Sequence, residues 1–193
     1  MKNIAVFASG NGSNAQNLIE YFNGGNIAQV KLVISNNPKA HVLERAASLG
    51  VKGILMEKEE LISPNPYKLL NLLNENSIDF IILAGYLQKI PEAITTAYPD
   101  KIINIHPALL PKFGGKGMYG IHVHRAVIAA GEAQSGITIH LVDAAYDNGR
   151  ILFQAYCPIA PDDTPENVAT KVQALEQAHF PSVIEQYILE SSK

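Results

Sequence analysis

Asn104-Ile105-His106-Pro107 and the distant Asp147-Asn148-Gly149 hold the residue types best suited to chemistry in this chain. Side chains on an extended segment alternate faces, so an amide at 104 and an imidazole at 106 point the same way. Pro107 removes a backbone donor and keeps His106 extended, so the segment stops there with both groups presented together. A carboxylate from a separate segment, Asp147 or Asp143, would complete the set. Asp147-Asn148-Gly149 also has the composition of a plain tight turn. A carboxylate beside His106 is expected to raise its pKa by favouring the imidazolium. Imidazolium and amide would then be two donors converging on a developing oxyanion. No Ser or Cys stands in a G-x-S-x-G elbow, which argues against a covalent acyl intermediate. The chemistry implied is direct attack on a carbonyl carbon by a nucleophile that the substrate carries.

Gly10-Asn11-Gly12-Ser13-Asn14-Ala15 is a second constellation, placed between a strand pattern and a helix pattern. Helix amino termini attract anions because their first N–H groups lack intrahelical partners and the dipole is positive there. A dinucleotide site would need an acid about 20 residues on, or an Arg for a 2′-phosphate. The next strand ends Ser35-Asn36-Asn37, with neither. The loop therefore reads as a seat for one phosphate, with Gly12, Ser13 and Asn14 donating from backbone or side chain, and NAD is disfavoured.

The remaining histidines are read more plainly. His41 opens a helix and His179 lies within the last one, both as surface or capping residues. His140, mid-strand, reads as a satisfied core residue that could line a cleft. His122 and His124 lie near each other, yet neither H-E-x-x-H nor a cysteine ligand accompanies them, so no metal is expected.

The elements that must position these groups alternate between β-branched apolar runs and helical patterns, the signature of βαβ units. Ile4–Ala8, Val30–Ser35, Gly53–Leu55, Phe80–Ala84 and Ile102–His106 read as strands; Asn14–Phe22, Ala40–Leu49, Pro66–Glu75 and Pro91–Ala97 read as helices opened or followed by turn signals. A Pro- and Gly-rich loop over 107–121 leads to a short helix near His124–Ala130. Gly136–Val142 and Ile151–Pro158 read as two antiparallel strands joined through Asp143–Gly149. A closing helix runs from Pro165 to Leu189, with Pro181 expected to kink or interrupt it. The fold class is α/β: a mostly parallel, Rossmann-like twisted sheet with helices on both faces and an antiparallel strand near the C-terminus.

Bulk properties exclude several classes of function. At 193 residues, 47% hydrophobic and 17% charged, the chain suits one well-buried domain. A net charge of −3 offers no basic footprint for a nucleic-acid backbone. No run of 18 apolar residues suggests a membrane span, and the short apolar run after Met1 reads as the first strand, not a signal peptide. Cys157, the single cysteine, excludes an internal disulfide and suits a reducing, cytoplasmic setting. Small-molecule partners are expected, with no nucleic acid and no membrane; the oligomeric state, a homodimer included, is left open.

Ser9-Gly10-Asn11-Gly12-Ser13-Asn14, Leu83-Ala84-Gly85-Tyr86, Asn104 through Pro111 and the run from His140 to Gly149 resemble, in order, the motifs of the phosphoribosylglycinamide formyltransferase family. That resemblance implies a single formyltransferase domain over 1–193, its phosphate-binding half at 1–100 and its folate and catalytic half at 80–193. It implies transfer of a formyl group from 10-formyltetrahydrofolate, a co-substrate, to the amine of glycinamide ribonucleotide in purine biosynthesis. Carried over by position, Asn104, His106 and Asp147 are catalytic. Gly12, Ser13, Asn14, Gln173 and Glu176 hold phosphate and ribose; Gln88, Lys89, Ile90, Asn104 and Asp143 line the folate side. Two departures stand out. Gln88 occupies a position where the family often has arginine, and the loop from Lys112 to Ile121 is longer and richer in glycine than the short Pro-Gly turn of bacterial members.

Related enzymes share the Asn, His and Asp set. A methionyl-tRNA formyltransferase carries an additional carboxyl-terminal domain and a formyltetrahydrofolate hydrolase an amino-terminal regulatory one; neither is expected here. A non-catalytic nucleotide- or folate-binding module would not need Asn104, His106 and Asp147 together.

Overall fold

The computed structural model of the protein describes residues 1–143, 145 and 147–191. Seven strands form one sheet in the order β3-β2-β1-β4-β5-β6-β7. They are β1 (Lys2–Phe7), β2 (Ala28–Ser35), β3 (Lys52–Leu55), β4 (Phe80–Leu83), β5 (Ile102–His106), β6 (Gln134–Leu141) and β7 (Ile151–Pro158). The first five pair in parallel. β6 runs antiparallel to both of its neighbours. Of the segment joining β6 to β7, positions 144 and 146 lie outside the described residues.

Period-two alternation divides the core between the two faces of the sheet. Ile4 and Val6 of β1 pack with Leu18 of α1 (Ser13–Phe22), Val42 of α2 (His41–Ser48) and Val172 of the last helix. Ala5 and Phe7 pack on the opposite face with Leu61 of α3 (Lys58–Leu61), Leu69 of α4 (Tyr67–Glu75) and Ile94 of α5 (Glu92–Ala97). In β5 the same alternation puts Ile103 and Ile105 in the first cluster and Ile102 in the second. Asn104 and His106 share the parity of Ile102, so they project to one side, as expected.

The boundaries differ from the sequence reading in informative ways. Pro66 and Pro91 stand at helix N-caps, just outside α4 and α5. Pro165 is the first helical residue of α7 (Pro165–Glu190), behind a capping box between Thr164 and Asn167. Pro181 does not interrupt α7, which continues as helix to Glu190. Pro181 is itself buried, as are Phe180 and Ile184, and apolar burial works against the cost of the missing backbone donor. The four-residue α3 is too short for a helical period to be visible in sequence. The helix α6 (Ile121–Ala129) begins earlier than expected, at the end of the glycine-rich loop.

Candidate active site

The chain leaves β1 outward to β2 and β3, then returns to β4 on the other side of β1. Ligands in open α/β sheets sit at such a switch point, beyond the carboxyl ends of the strands. A cavity of about 590 Å³ lies there. Its walls come from the loop after β1 (Gly10 to Asn14), the segment after β4, the end of β5 and the turn at 115–120.

At one end, backbone geometry shapes the loop that opens α1. Gly12 is the N-cap of α1 with φ 82°, and a Cβ there would lie 2.5 Å from Val42 Cγ2. Only glycine suits both the left-handed backbone and the close approach of α2. Val42 donates its N–H to Gly10 O at 3.2 Å, fixing that approach. The Asn14 side chain is engaged by α7: Nδ2 donates to Glu176 Oε2 at 2.8 Å and Oδ1 accepts from Gln177 Nε2 at 2.9 Å. Its backbone N–H, with those of its helix-start neighbours, is what remains for a ligand. Gln173 Nε2 donates to Ser13 Oγ at 3.3 Å, whereas Glu176 lines the cavity itself. Burial pushes the Glu176 carboxyl up, against the Asn14 bond that lowers it. Asn36 accepts from Ser9 Oγ at 2.7 Å, and Asn37 Nδ2 donates to Ser9 O at 3.0 Å. The position where a dinucleotide fold would hold its ribose thus braces the loop.

At the other end, Asn104, His106 and Asp147 meet. His106 Nδ1 lies 3.7 Å from Asp147 Oδ2, and His140 Nε2 lies 3.7 Å from Asp147 Oδ1. His106 Nε2 sits 2.8 Å from Phe113 O, which can only accept, so Nε2 carries the proton and Nδ1 faces the carboxylate. The same logic fixes His140: Nδ1 donates to Leu141 O at 2.8 Å, leaving Nε2 to accept from Asn104 Nδ2 at 3.0 Å. His140 therefore sets which way the Asn104 amide points and leaves a second Nδ2 hydrogen uncommitted to that bond.

The expected rise in the His106 pKa does not occur. The ring is 3% exposed, and burial holds its pKa below the ordinary histidine value despite Asp147 and the Phe113 carbonyl. Burial pushes Asp147 up most strongly of any single effect. Contacts with His140, the Gly115 N–H and His106 together outweigh it and hold the carboxyl below the usual range. The resting pair is a neutral imidazole facing a carboxylate, two proton acceptors side by side. Asp147 also has φ 51°, a left-handed conformation that Asp tolerates, and a Cβ on Gly149 would sit 1.8 Å from Leu141 O. The tight turn and the charged site are one feature.

Loop backbone completes this end. Gly115 N–H donates to Asp147 Oδ2 at 2.7 Å. Thr138 Oγ1 accepts from Leu110 N–H at 3.0 Å and donates to Ala108 O at 2.7 Å, anchoring the segment after Pro107, where Leu110–Pro111 is cis. His124 is buried with Nδ1 lacking a hydrogen-bond partner among the described residues, whereas His122 stacks edge-on with Tyr119. Among the described residues no His, Cys, Asp and Glu grouping could hold a metal.

A smaller cavity of about 70 Å³ adjoins the first and is lined by Gln88, Lys89, Ile90, Asp143 and neighbours. Tyr86, Gln88, Asn104 and Asp147 line both cavities. Three contributors were not assigned from sequence: His140, the Phe113 carbonyl and the Gly115 N–H. The first depends on the β5–β6 register, which sets Asn104 opposite His140. The other two are backbone groups with no residue-type signature.

A family model described as formyl transferase matches residues 2–184. The chloroplastic phosphoribosylglycinamide formyltransferase of Arabidopsis thaliana is 41% identical over 187 residues, which is 95% of this chain and 64% of that protein. The phosphoribosylglycinamide formyltransferase of Bacillus subtilis (strain 168) is 35% identical over 191 residues, 97% of this chain and 95% of that one. The crystal structure of glycinamide ribonucleotide transformylase 1 from Symbiobacterium toebii matches with a TM-score of 0.90 at 33% identity, covering 98% of this chain and 89% of its own. This chain spans 64% and 60% of the length of the two plant relatives. No helix among the described residues is long and apolar enough to cross a membrane.

Proposed function

This chain belongs to the formyl transferase family, and from that premise we propose that it moves a formyl group from 10-formyltetrahydrofolate to the amine of glycinamide ribonucleotide, a step of purine biosynthesis. The observation that carries this reading is the junction: Asn104 and Asp147 line both cavities, and His106 stands beside them. A reaction between two bound substrates needs two sites that meet at the reacting atoms.

The ribonucleotide occupies the larger cavity, its phosphate on the N–H groups of Gly12, Ser13 and Asn14 and its ribose toward Glu176 and Gln173. The folate enters the smaller one, its ring against the backbone of Gln88, Lys89 and Ile90 with Asp143 at the rim. The amine nitrogen attacks the formyl carbon, forming a C–N bond and moving the carbonyl π pair onto oxygen. The second Nδ2 hydrogen of Asn104 meets that oxyanion. The proton of the attacking nitrogen passes to His106 Nδ1, which burial keeps neutral and receptive. Asp147 stabilises the resulting imidazolium, which becomes the second donor to the oxyanion. Collapse re-forms the carbonyl, breaks the bond to the folate nitrogen and returns the proton to that leaving group. No covalent enzyme intermediate is required.

Incubation with both substrates tests the reading. Equimolar tetrahydrofolate and formylated ribonucleotide are expected. Tetrahydrofolate with free formate and no formylated product would contradict it and indicate a hydrolase. Calorimetric binding of the ribonucleotide without turnover would indicate a binding module instead.

A further inference from the structure

Lys116 is the only lysine or arginine among the described residues that line the larger cavity. Two carboxylates, Asp147 and Glu176, line it as well. A phosphate seated on the loop after β1 would meet N–H groups and a helix dipole worth about half a charge. It would share the cavity with both carboxylates, with Glu176 bonded to Asn14 of that loop. Arg45, which reaches the loop from α2, donates to Gln16 Oε1 and, at 3.2 Å, to Asn11 Oδ1, and it does not line the cavity. The smaller cavity has a lysine of its own, Lys89.

Lys116 is placed with some care. Gly115 to Met118 form a turn closed by Met118 N–H to Gly115 O at 3.1 Å, with Gly117 at φ 91° in its third position. A positive φ there is the type II arrangement, which leaves Lys116 at the second position, on the apex. The turn is tethered through Gly115 N–H to Asp147. Lys116 is exposed and has no carboxylate within ion-pair distance among the described residues. It belongs to the glycine-rich stretch that sets this loop apart from a short Pro-Gly turn.

We infer that Lys116 supplies the positive charge for the phosphate of the ribonucleotide, delivered by the 115–118 turn and missing from the loop after β1. The inference rests on the formyl-transfer reading for its substrate. A charge-assisted contact of this kind predicts that Lys116→Ala raises KM for the ribonucleotide about 10- to 100-fold. Because the contact is made equally in the ground and transition states, kcat stays within about twofold. KM for the folate is unchanged, and Lys116→Arg recovers most of the loss. With the dephosphorylated riboside as substrate, wild type and Lys116→Ala become equivalent.

The experiment is steady-state kinetics of wild type, Lys116→Ala and Lys116→Arg with the ribonucleotide and the riboside, alongside calorimetric binding of the ribonucleotide alone. An unchanged KM and Kd for the ribonucleotide in Lys116→Ala would overturn the inference. So would a rise confined to the folate KM, or an equal penalty with the riboside. Wild-type protein that binds the ribonucleotide without transferring formyl would sink the functional reading alone, and the binding comparison would still decide the role of Lys116.

Discussion

The two ends of the larger cavity are built by different means. At the end formed by the loop after β1, regular elements do the positioning: β1 runs into α1, and Gly12 is wedged against Val42 with no room for a side chain. At the end where Asn104, His106 and Asp147 meet, each group depends on a partner from another segment. His106 is held by the Phe113 carbonyl, Asp147 by the Gly115 N–H and Asn104 by His140 across the β5–β6 pair. Damage at the first end should therefore appear in binding and stability, and damage at the second in the chemical step.

The sharpest way to break that contrast is at Asp147. Asp147→Asn keeps the Oδ acceptor for Gly115 but removes the charge that stabilises protonated His106. Turnover is expected to fall roughly 10³–10⁴-fold with Kd for the ribonucleotide little changed; a near-normal kcat would make Asp147 only a turn residue. Asn104→Ala removes an oxyanion donor and should cost roughly 10²–10³ in kcat. A loss confined to KM would place Asn104 in binding alone.

In the loop after β1, Gly12→Ala forces a side chain into Val42 and strains a left-handed backbone. A stability loss of about 1–3 kcal/mol by denaturant titration is expected, with KM for the ribonucleotide raised more than kcat is lowered. The mildest effect concerns pH. Folded His106 and His124 both titrate below the ordinary histidine value of 6.5. The unfolded chain therefore binds more protons below that pH, so stability should fall as pH drops through and below 6.5 and stay level above it. The contribution of Asp147, whose folded pKa is lowered, is lost only in stronger acid, below its unfolded value of 3.8. Melting curves between pH 7.5 and 5.5 check this, and His106→Asn should flatten part of the slope.

The same contrast separates what sequence could reveal from what it could not. Asn104 and His106 were legible because strand alternation and Pro107 act within a few residues. The turn from β1 into α1 is legible because glycine and a helix start leave a local pattern. His140 looked like a core residue, since its bond to Asn104 arises from an antiparallel register between segments 36 positions apart. The sign of the His106 shift is hidden from sequence for a related reason: a neighbouring carboxylate can be guessed from sequence, whereas the burial that outweighs it is a property of the folded chain. Pro181 shows the opposite case: its cost to the helix is local and visible in sequence, whereas its burial is not.

Rapid-quench single turnover with enzyme in excess and label in the formyl group tests direct transfer across the junction. The label should move from folate to the ribonucleotide amine in one phase, only when both ligands are bound, with no labelled protein. Label trapped on the protein, or released as formate at the same rate without the ribonucleotide, would contradict the account.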